Sequence, residues 1–453
     1  MSQIKNGNHI KLFDILKNND SLFIPFSTSH IGDIFASFKE TKTQLDYINS
    51  DLEFITKLTK NQCFYNIKEK LALNYYDPKE LFKQRVDEKD LFKNFNLKSL
   101  EQILSSNEST KDLGKKLIDQ IKSIPLDDAL IESFNNQEDS NEIENMFPGL
   151  KENPTMEVFF DIFNNMINGL NESDDYKKLR IQLQSSLGIN RDNIVNSENP
   201  HKIIEAKYDK AGLSKTLHIP ENKHAPEWFN EISHEYIFLD MHGYQEDKVN
   251  IKKGRKETFK NTIEDSFHSA FATTCNIYVI NDNKSYHKCK KTYEKLGIET
   301  LVLKPNEFIQ YYNKYLKKSD CSLDLNLAIE IISTENYTEE KTENGILRTY
   351  IFPYLLFDFF NKIIILFSSK DENEKPVILL SQQSSKFHKI YSFELERLIK
   401  VLIGIYGVDM ENYGEFNIEE LNSETWVGRK WESQNINLRL TRLNGFFQLY
   451  LDI

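Results

Sequence analysis

Cysteine is scarce in this chain: Cys63, Cys275, Cys289 and Cys321 are the only four among 453 residues, and no CxxC pair occurs. That excludes a disulfide scaffold and sets the expectation of free thiols in a reducing, cytoplasmic location. Long apolar runs are also missing. The longest, 350–367, is broken by Pro353, Asp358, Asn361 and Lys362, so no membrane span is expected. Residues 1–20 are polar and lack the apolar stretch of a signal peptide. There is no GxSxG elbow, P-loop or GxGxxG motif, which argues against hydrolases and nucleotide binders of those types. Positive charge is in deficit, with a net charge of -12. Contact with nucleic acid would therefore have to come from a local basic strip or through a metal.

What is present is enough apolar material for sizeable cores: 39% hydrophobic and 12% aromatic residues. The length calls for two or three domains. Residues 1–85 offer a short strand at Ser21–Phe26 opening on a polar cluster, Ser27–His30. A helix over Ile31–Phe38 follows, and another over Asp51–Leu58 with Ser50 as its cap. Residues 86–225 are acidic, rich in Asn and Ser, and space their apolar residues three and four apart at Leu100–Leu104, Leu117–Ile124, Met156–Leu170 and Tyr176–Leu187. They read as a helical insertion.

Residues 226–322 return to α/β character. A helix runs through Trp228, Phe229, Ile232, Tyr236 and Leu239. After a basic run at Lys248–Lys260, a helix over Thr262–Thr273, a strand Asn276–Ile280, a helix His287–Leu296, a strand Glu299–Leu303 and a helix Glu307–Leu316 are expected. Strand–helix–strand order without hairpin signals predicts a parallel sheet. Residues 323–453 read as an α+β accessory domain. Its strands are Ile346–Leu356, Lys362–Phe367 and Pro376–Leu380, its helix is Phe393–Tyr406, and a hairpin turns at Asn444–Gly445.

The chemistry concentrates between Glu264 and Ile309. Asp265 falls in the expected first turn of a helix, where the helix dipole favours a carboxylate, with His268 on the same face. Asp282 follows the end of a buried strand, where open parallel sheets place their ligands. Two such acids can converge on one hard cation, Mg²⁺ or Mn²⁺. The plainer readings are a helix-start residue for Asp265, a turn former for Asp282 and a helix-surface residue for Asp33. His234, Asp240 and His242 lack the partners that would complete a zinc set. Lys252, Lys253, Arg255 and Lys256, with Lys284 and Lys288 beyond Asp282, form either a solvated face or a phosphate-backbone strip. Trp426, Arg429, Lys430 and Trp431 are either hairpin packing or an aromatic and basic surface.

The pattern of Asp265, small residues, a strand and Ile280-Asn281-Asp282 resembles the C-terminal half of the PIN-like nucleases. The piece IPFSTSHIGDI at Ile24–Ile34 resembles the second strand and following helix of the same fold. The resemblance covers about 15–85 and 228–315. It implies a PIN-like parallel-sheet α/β core split by the helical insertion, with Asp33, Asp265 and Asp282 as metal ligands. The sequence departs from the pattern twice. Ile280 replaces the usual Thr, and the opening strand whose Asp is the central ligand is not found before Leu22. That acid could lie upstream of Met1, be lost, or be supplied by Asp240. Implied by the resemblance are a Mg²⁺- or Mn²⁺-dependent endoribonuclease acting on single-stranded RNA, and a role as toxin or anti-phage defence effector. The C-terminal domain would take a protein partner or antitoxin, and an oligomer is compatible with all of this. The alternative is a catalytically inactive scaffold or an RNA-binding or protein-interaction subunit of the same fold.

Overall fold

The computed structural model of the protein describes residues 9–93, 180–245 and 259–452, with short interruptions at 19–21, 37, 39–40, 182, 186, 212–221, 318–319, 335, 344, 369–374, 384–391, 423–425, 434–435 and 444–445. Most of the expected insertion, the basic residues Lys252, Lys253, Arg255 and Lys256, and the turn at Asn444–Gly445 lie outside the described residues.

In chain order the first elements are α1 (Ile10–Asn18), β1 (Phe26–Ser27), α2 (Thr28–Ala36), α3 (Lys42–Thr59), β2 (Gln62–Ile67), β3 (Lys70–Tyr75) and α4 (Pro78–Lys93). Next come α5 (Arg191–Ile194), α6 (Pro200–Ala211), α7 (Glu227–Met241), α8 (Phe259–Ala272), β4 (Ile277–Val279), α9 (Asn283–Leu296), β5 (Leu301–Leu303) and α10 (Pro305–Tyr311). After a π-helical turn at Tyr312–Leu316 follow α11 (Asp324–Ile332), β6 (Thr338–Thr342), β7 (Gly345–Leu356), β8 (Phe360–Ser368) and β9 (Val377–Ser381). The chain closes with α12 (Ser392–Tyr406), β10 (Arg429–Ser433), β11 (Ile436–Leu443) and β12 (Phe446–Asp452). The fold is mixed α/β. Among the described residues no helix is long and apolar enough to cross a membrane.

These elements make two compact units. The first draws on Ile24–Phe271 with the middle of α9, His287–Thr292. Its sheet has the order β1-β2-β3, with β1 parallel to β2 and β2 antiparallel to β3. Phe26, Ile31, Ile48, Leu52, Ile55, Cys63 and Phe82 form the core under it. Ile48, Leu52 and Ile55 recur at helical spacing and are all buried, so α3 runs unbroken through Ser50. The expected cap at Ser50 is therefore corrected: that residue is inside the helix. The β2–β3 hairpin was not foreseen, because its turn residues, Lys68 and Glu69, carry φ of 48° and 59° without the Asn or Gly that usually signals such a turn. Phe229 of α7 packs its ring against Phe267 and Phe271 of α8, with centroids 5.4 and 4.8 Å apart.

The second unit holds the rest. β4 and β5 pair in parallel, Ile277 opposite Leu301 and Val279 opposite Leu303. A separate seven-stranded antiparallel sheet has the order β10-β11-β12-β9-β8-β7-β6. Leu395, Leu398, Ile399 and Leu402 of α12 and Ala328 of α11 share its core with Ile363, Leu380, Leu438 and Leu449. The hairpin expected around residues 444–445 is seen in its flanking strands, where Leu443 stands opposite Phe446. Trp431 is buried and donates its indole N–H to Gly407 O at 3.0 Å, while Trp426 donates to Glu420 at 3.1 Å. Both tryptophans and Arg429 thus take the packing role.

Candidate functional site

The strand–helix junction Phe26–Ala36 begins the site. Phe26 and Ser27 are buried, and α2 then presents Ser29, His30, Gly32 and Asp33. The Ser27 N–H donates to His30 Nδ1 at 3.0 Å, and the Ser27 hydroxyl lies 3.0 Å from the same nitrogen. Burial first, then the nearby charge of His268, pushes the His30 pKa down to about 3. His30 is accordingly a neutral ring.

Helix α8 supplies the other half. It starts at Phe259, so Asp265 stands well inside it rather than in its first turn. The dipole argument for Asp265 is corrected on this point, because the dipole's effect fades beyond the first turn. Glu264 and His268 are four residues apart and share the helix face. His268 Nε2 lies 2.9 Å from Asp33 Oδ2, and its ring meets His30 edge-on with centroids 4.5 Å apart. Burial alone would lower the pKa of His268. The hydrogen bond and charge of Asp33, joined by Asp265 and Glu264, outweigh it and hold the imidazole above its ordinary value.

Glu264 is the residue that the sequence reading passed over. Its side chain is only 8% exposed, and its carboxylate rests against the backbone of α2 at Gly32, where a methyl group would overlap it. Arg85 of α4 approaches Oε1 at 3.8 Å, whereas Oε2 is buried without a hydrogen-bond partner among the described residues. Burial, with the neighbouring charge of Asp33 adding to it, outweighs the charges of Arg85 and His268 and the hydrogen bond from the Ser29 hydroxyl, and pushes the Glu264 carboxyl above the usual carboxylate range. The signal that could have found it was its four-residue spacing to His268.

Asp240 lies elsewhere in the same unit and is buried. Arg180 Nη1 donates to its Oδ2 at 3.0 Å, Lys288 Nζ bonds its Oδ1, and Thr262 Oγ1 lies 3.4 Å from Oδ2. Lys288 also sits 5.5 Å from the centre of the Tyr236 ring. Both oxygens of Asp240 are thus engaged by cations, and Lys288 is an interior ion-pair partner rather than a surface group. Lys284 is half-buried on α9.

Asp282 belongs to the second unit. It follows β4 and caps α9, its carboxylate accepting the Ser285 N–H at 2.9 Å. That bond starts α9 one turn earlier than the apolar spacing predicted. The carbonyls of Asn281 and Asp282 each accept from Lys304 Nζ at 2.9 Å, and Lys304 lies 4.7 Å from the centre of the Tyr286 ring. The lysine pins the turn at the carboxyl end of the parallel pair.

Among the described residues no three His, Cys, Asp or Glu side chains already stand together as a metal site. The chain matches no protein-family model, no curated protein and no solved structure.

Proposed function

We propose that this protein is a metal-dependent ribonuclease with a PIN-like core, and that Asp33 and Asp265 supply carboxylates to Mg²⁺ or Mn²⁺. The observation that carries the reading is the meeting of Asp33, on the helix after β1, with Glu264, Asp265 and His268 of α8, 235 residues away at the Asp33–His268 bond. Carboxylates whose charges act together on one histidine suit a hard cation. When bound, such an ion would lower the pKa of a coordinated water and offset charge on the phosphodiester as it is attacked. The chain's own residues orient the acids. His268 holds Asp33 through Oδ2.

The test is incubation of the full chain with labelled single-stranded RNA and Mn²⁺, with and without EDTA, beside a variant carrying both Asp33→Asn and Asp265→Asn. EDTA-sensitive cleavage that the variant lacks supports the enzyme. Cleavage undiminished in the variant rules out this site. Intact RNA throughout favours the second reading, a non-catalytic scaffold of the same fold. That reading draws on the acids not already standing at ligand separation among the described residues.

A further inference from the structure

We infer that the outer face of the seven-stranded sheet is where a second copy of this chain docks, related to the first by a two-fold axis that runs across the strands. The inference stands apart from the metal-dependent reading above.

Side chains alternate across a strand, so each strand of this sheet has an inner and an outer set. The inner set of β8 and β9 includes Ile363, Ile365, Ile378 and Leu380, all buried in the core shared with α11 and α12. The outer set is apolar as well. Leu347, Ile364, Leu366 and Leu379 are half-buried, Ile351 is 59% exposed and Val377 41%, and none of the six belongs to that core. An antiparallel sheet with one face in water carries polar residues on that face. A contiguous apolar patch rimmed by polar groups marks an interaction surface instead.

The register of the strands arranges this face in rows. Leu347, Leu366 and Val377 stand side by side, and Asp452, Asn437 and Glu432 continue their line, one step beyond the Leu451–Ile378 pair. The neighbouring row runs Thr349, Ile364, Leu379, Tyr450, Arg439 and Lys430. Beyond its apolar half the first row carries acids, and the second carries bases. A copy turned about an axis midway between the rows lays the first row on the second. Leu366 then meets Ile364, Val377 meets Leu379, Glu432 meets Lys430 and Asp452 falls beside Arg439, each contact made twice. An axis along β9 would instead bring Glu340 of β6, which stands opposite Leu347, over Glu432. The charges therefore fit a copy of this chain and fix the direction of the axis. The six strands β7 to β10, about 4.8 Å apart and about 20 Å long, offer roughly 600 Å² in projection. That is the scale of the about 800 Å² of accessible surface that each partner of a stable complex buries.

Sedimentation velocity of the full chain over a dilution series is the test, with Leu379→Arg, Lys430→Glu, Glu432→Lys and a double variant carrying both charge changes. The wild type should sediment as a dimer at the upper end of the series, and Leu379→Arg as a monomer throughout. Lys430→Glu and Glu432→Lys should each weaken the dimer about tenfold or more, because like charges then face each other twice. The double variant should regain the dimer. So should an equimolar mixture of the two single variants, which restores both pairs only between chains. Lys430 and Glu432 are exposed, and the Lys430–Glu411 pair at 3.0 Å is a surface pair that adds little to the fold. These charge variants carry the test if Leu379→Arg does not fold. A dimer that every variant leaves unchanged overturns the inference, as does a mixture of the single variants no tighter than either alone. A monomeric wild type overturns it too. If Leu379→Arg then melts lower than the wild type, the chain itself covers this face; if it melts alike, the face belongs to a different protein.

Discussion

His268 Nε2 and Asp33 Oδ2 stand 2.9 Å apart although 235 positions separate the two residues. The imidazole is 12% exposed and the carboxylate 54%. Asp33 is therefore what keeps a largely buried histidine proton-binding above its ordinary value. In metal-free protein, Asp33→Asn should lower the pKa of His268, which an NMR titration of the imidazole will show. The sign follows from linkage. A raised folded pKa gives stability that is present below the unfolded value of 6.5 and lost as pH rises through the folded value. The variant should lose that acid-side contribution. An unmoved pKa would contradict the assignment.

His30 and His242 act in the opposite direction. His242 lies in contact with Phe238 O at 2.7 Å and the Tyr208 hydroxyl at 2.9 Å, and burial pushes its pKa down to about 4. His30 is down at about 3. Both protonate more readily in the unfolded chain. Stability should fall as pH drops below 6.5, by about 1.4 kcal/mol per pH unit for each histidine at most. Urea unfolding between pH 7 and pH 4, measured for the wild type and His242→Gln, checks this. The variant should show the shallower slope.

Asp240 should matter for folding rather than for chemistry. Asp240→Asn leaves Arg180 and Lys288, both buried, facing a neutral amide. Removing one partner of a buried ion pair costs about 3–5 kcal/mol. Denaturant unfolding reads that loss, while RNA cleavage per folded molecule should be close to the wild-type rate. A catalytic Asp240 would show the reverse pattern.

Gly32 and Glu264 should be coupled. Gly32→Ala alone should destabilise by about 1 kcal/mol, because its methyl displaces a buried carboxylate. With Glu264→Ala also present, the same change should become neutral or stabilising, since alanine favours the helix by up to about 1 kcal/mol. A double-mutant cycle read by thermal unfolding measures the coupling. Additive effects would mean that the two residues do not touch.

Much of the fold was legible where one residue type repeats with a clear period. Leu395, Leu398, Ile399 and Leu402 announce α12, and the apolar run Ile363–Phe367 marks β8. β6 is different: all five of its residues, TEEKT, are exposed, so no apolar alternation betrays it and its pairing with β7 alone makes it a strand. In the site, Asp33, Asp265 and His268 drew attention as polar residues beside apolar elements. The partnership of Asp33 with His268 was not legible, because it depends on how α2 meets α8. Glu264 was hidden for the same reason: its burial is set by Gly32 on a distant helix. Asp240 was one candidate for the missing acid, and the helical spacing of Phe229, Ile232, Tyr236 and Leu239, already readable in the sequence, carries it into the interior, onto Arg180 and Lys288.

The most direct measurement is single-turnover cleavage of 5′-labelled single-stranded RNA by the wild type and Asp33→Asn at saturating Mn²⁺, each repeated in EDTA. The account predicts cleavage by the wild type that EDTA abolishes, and a rate at least about a hundredfold lower in Asp33→Asn. Equal rates for the two proteins, or wild-type cleavage that survives EDTA, would contradict it.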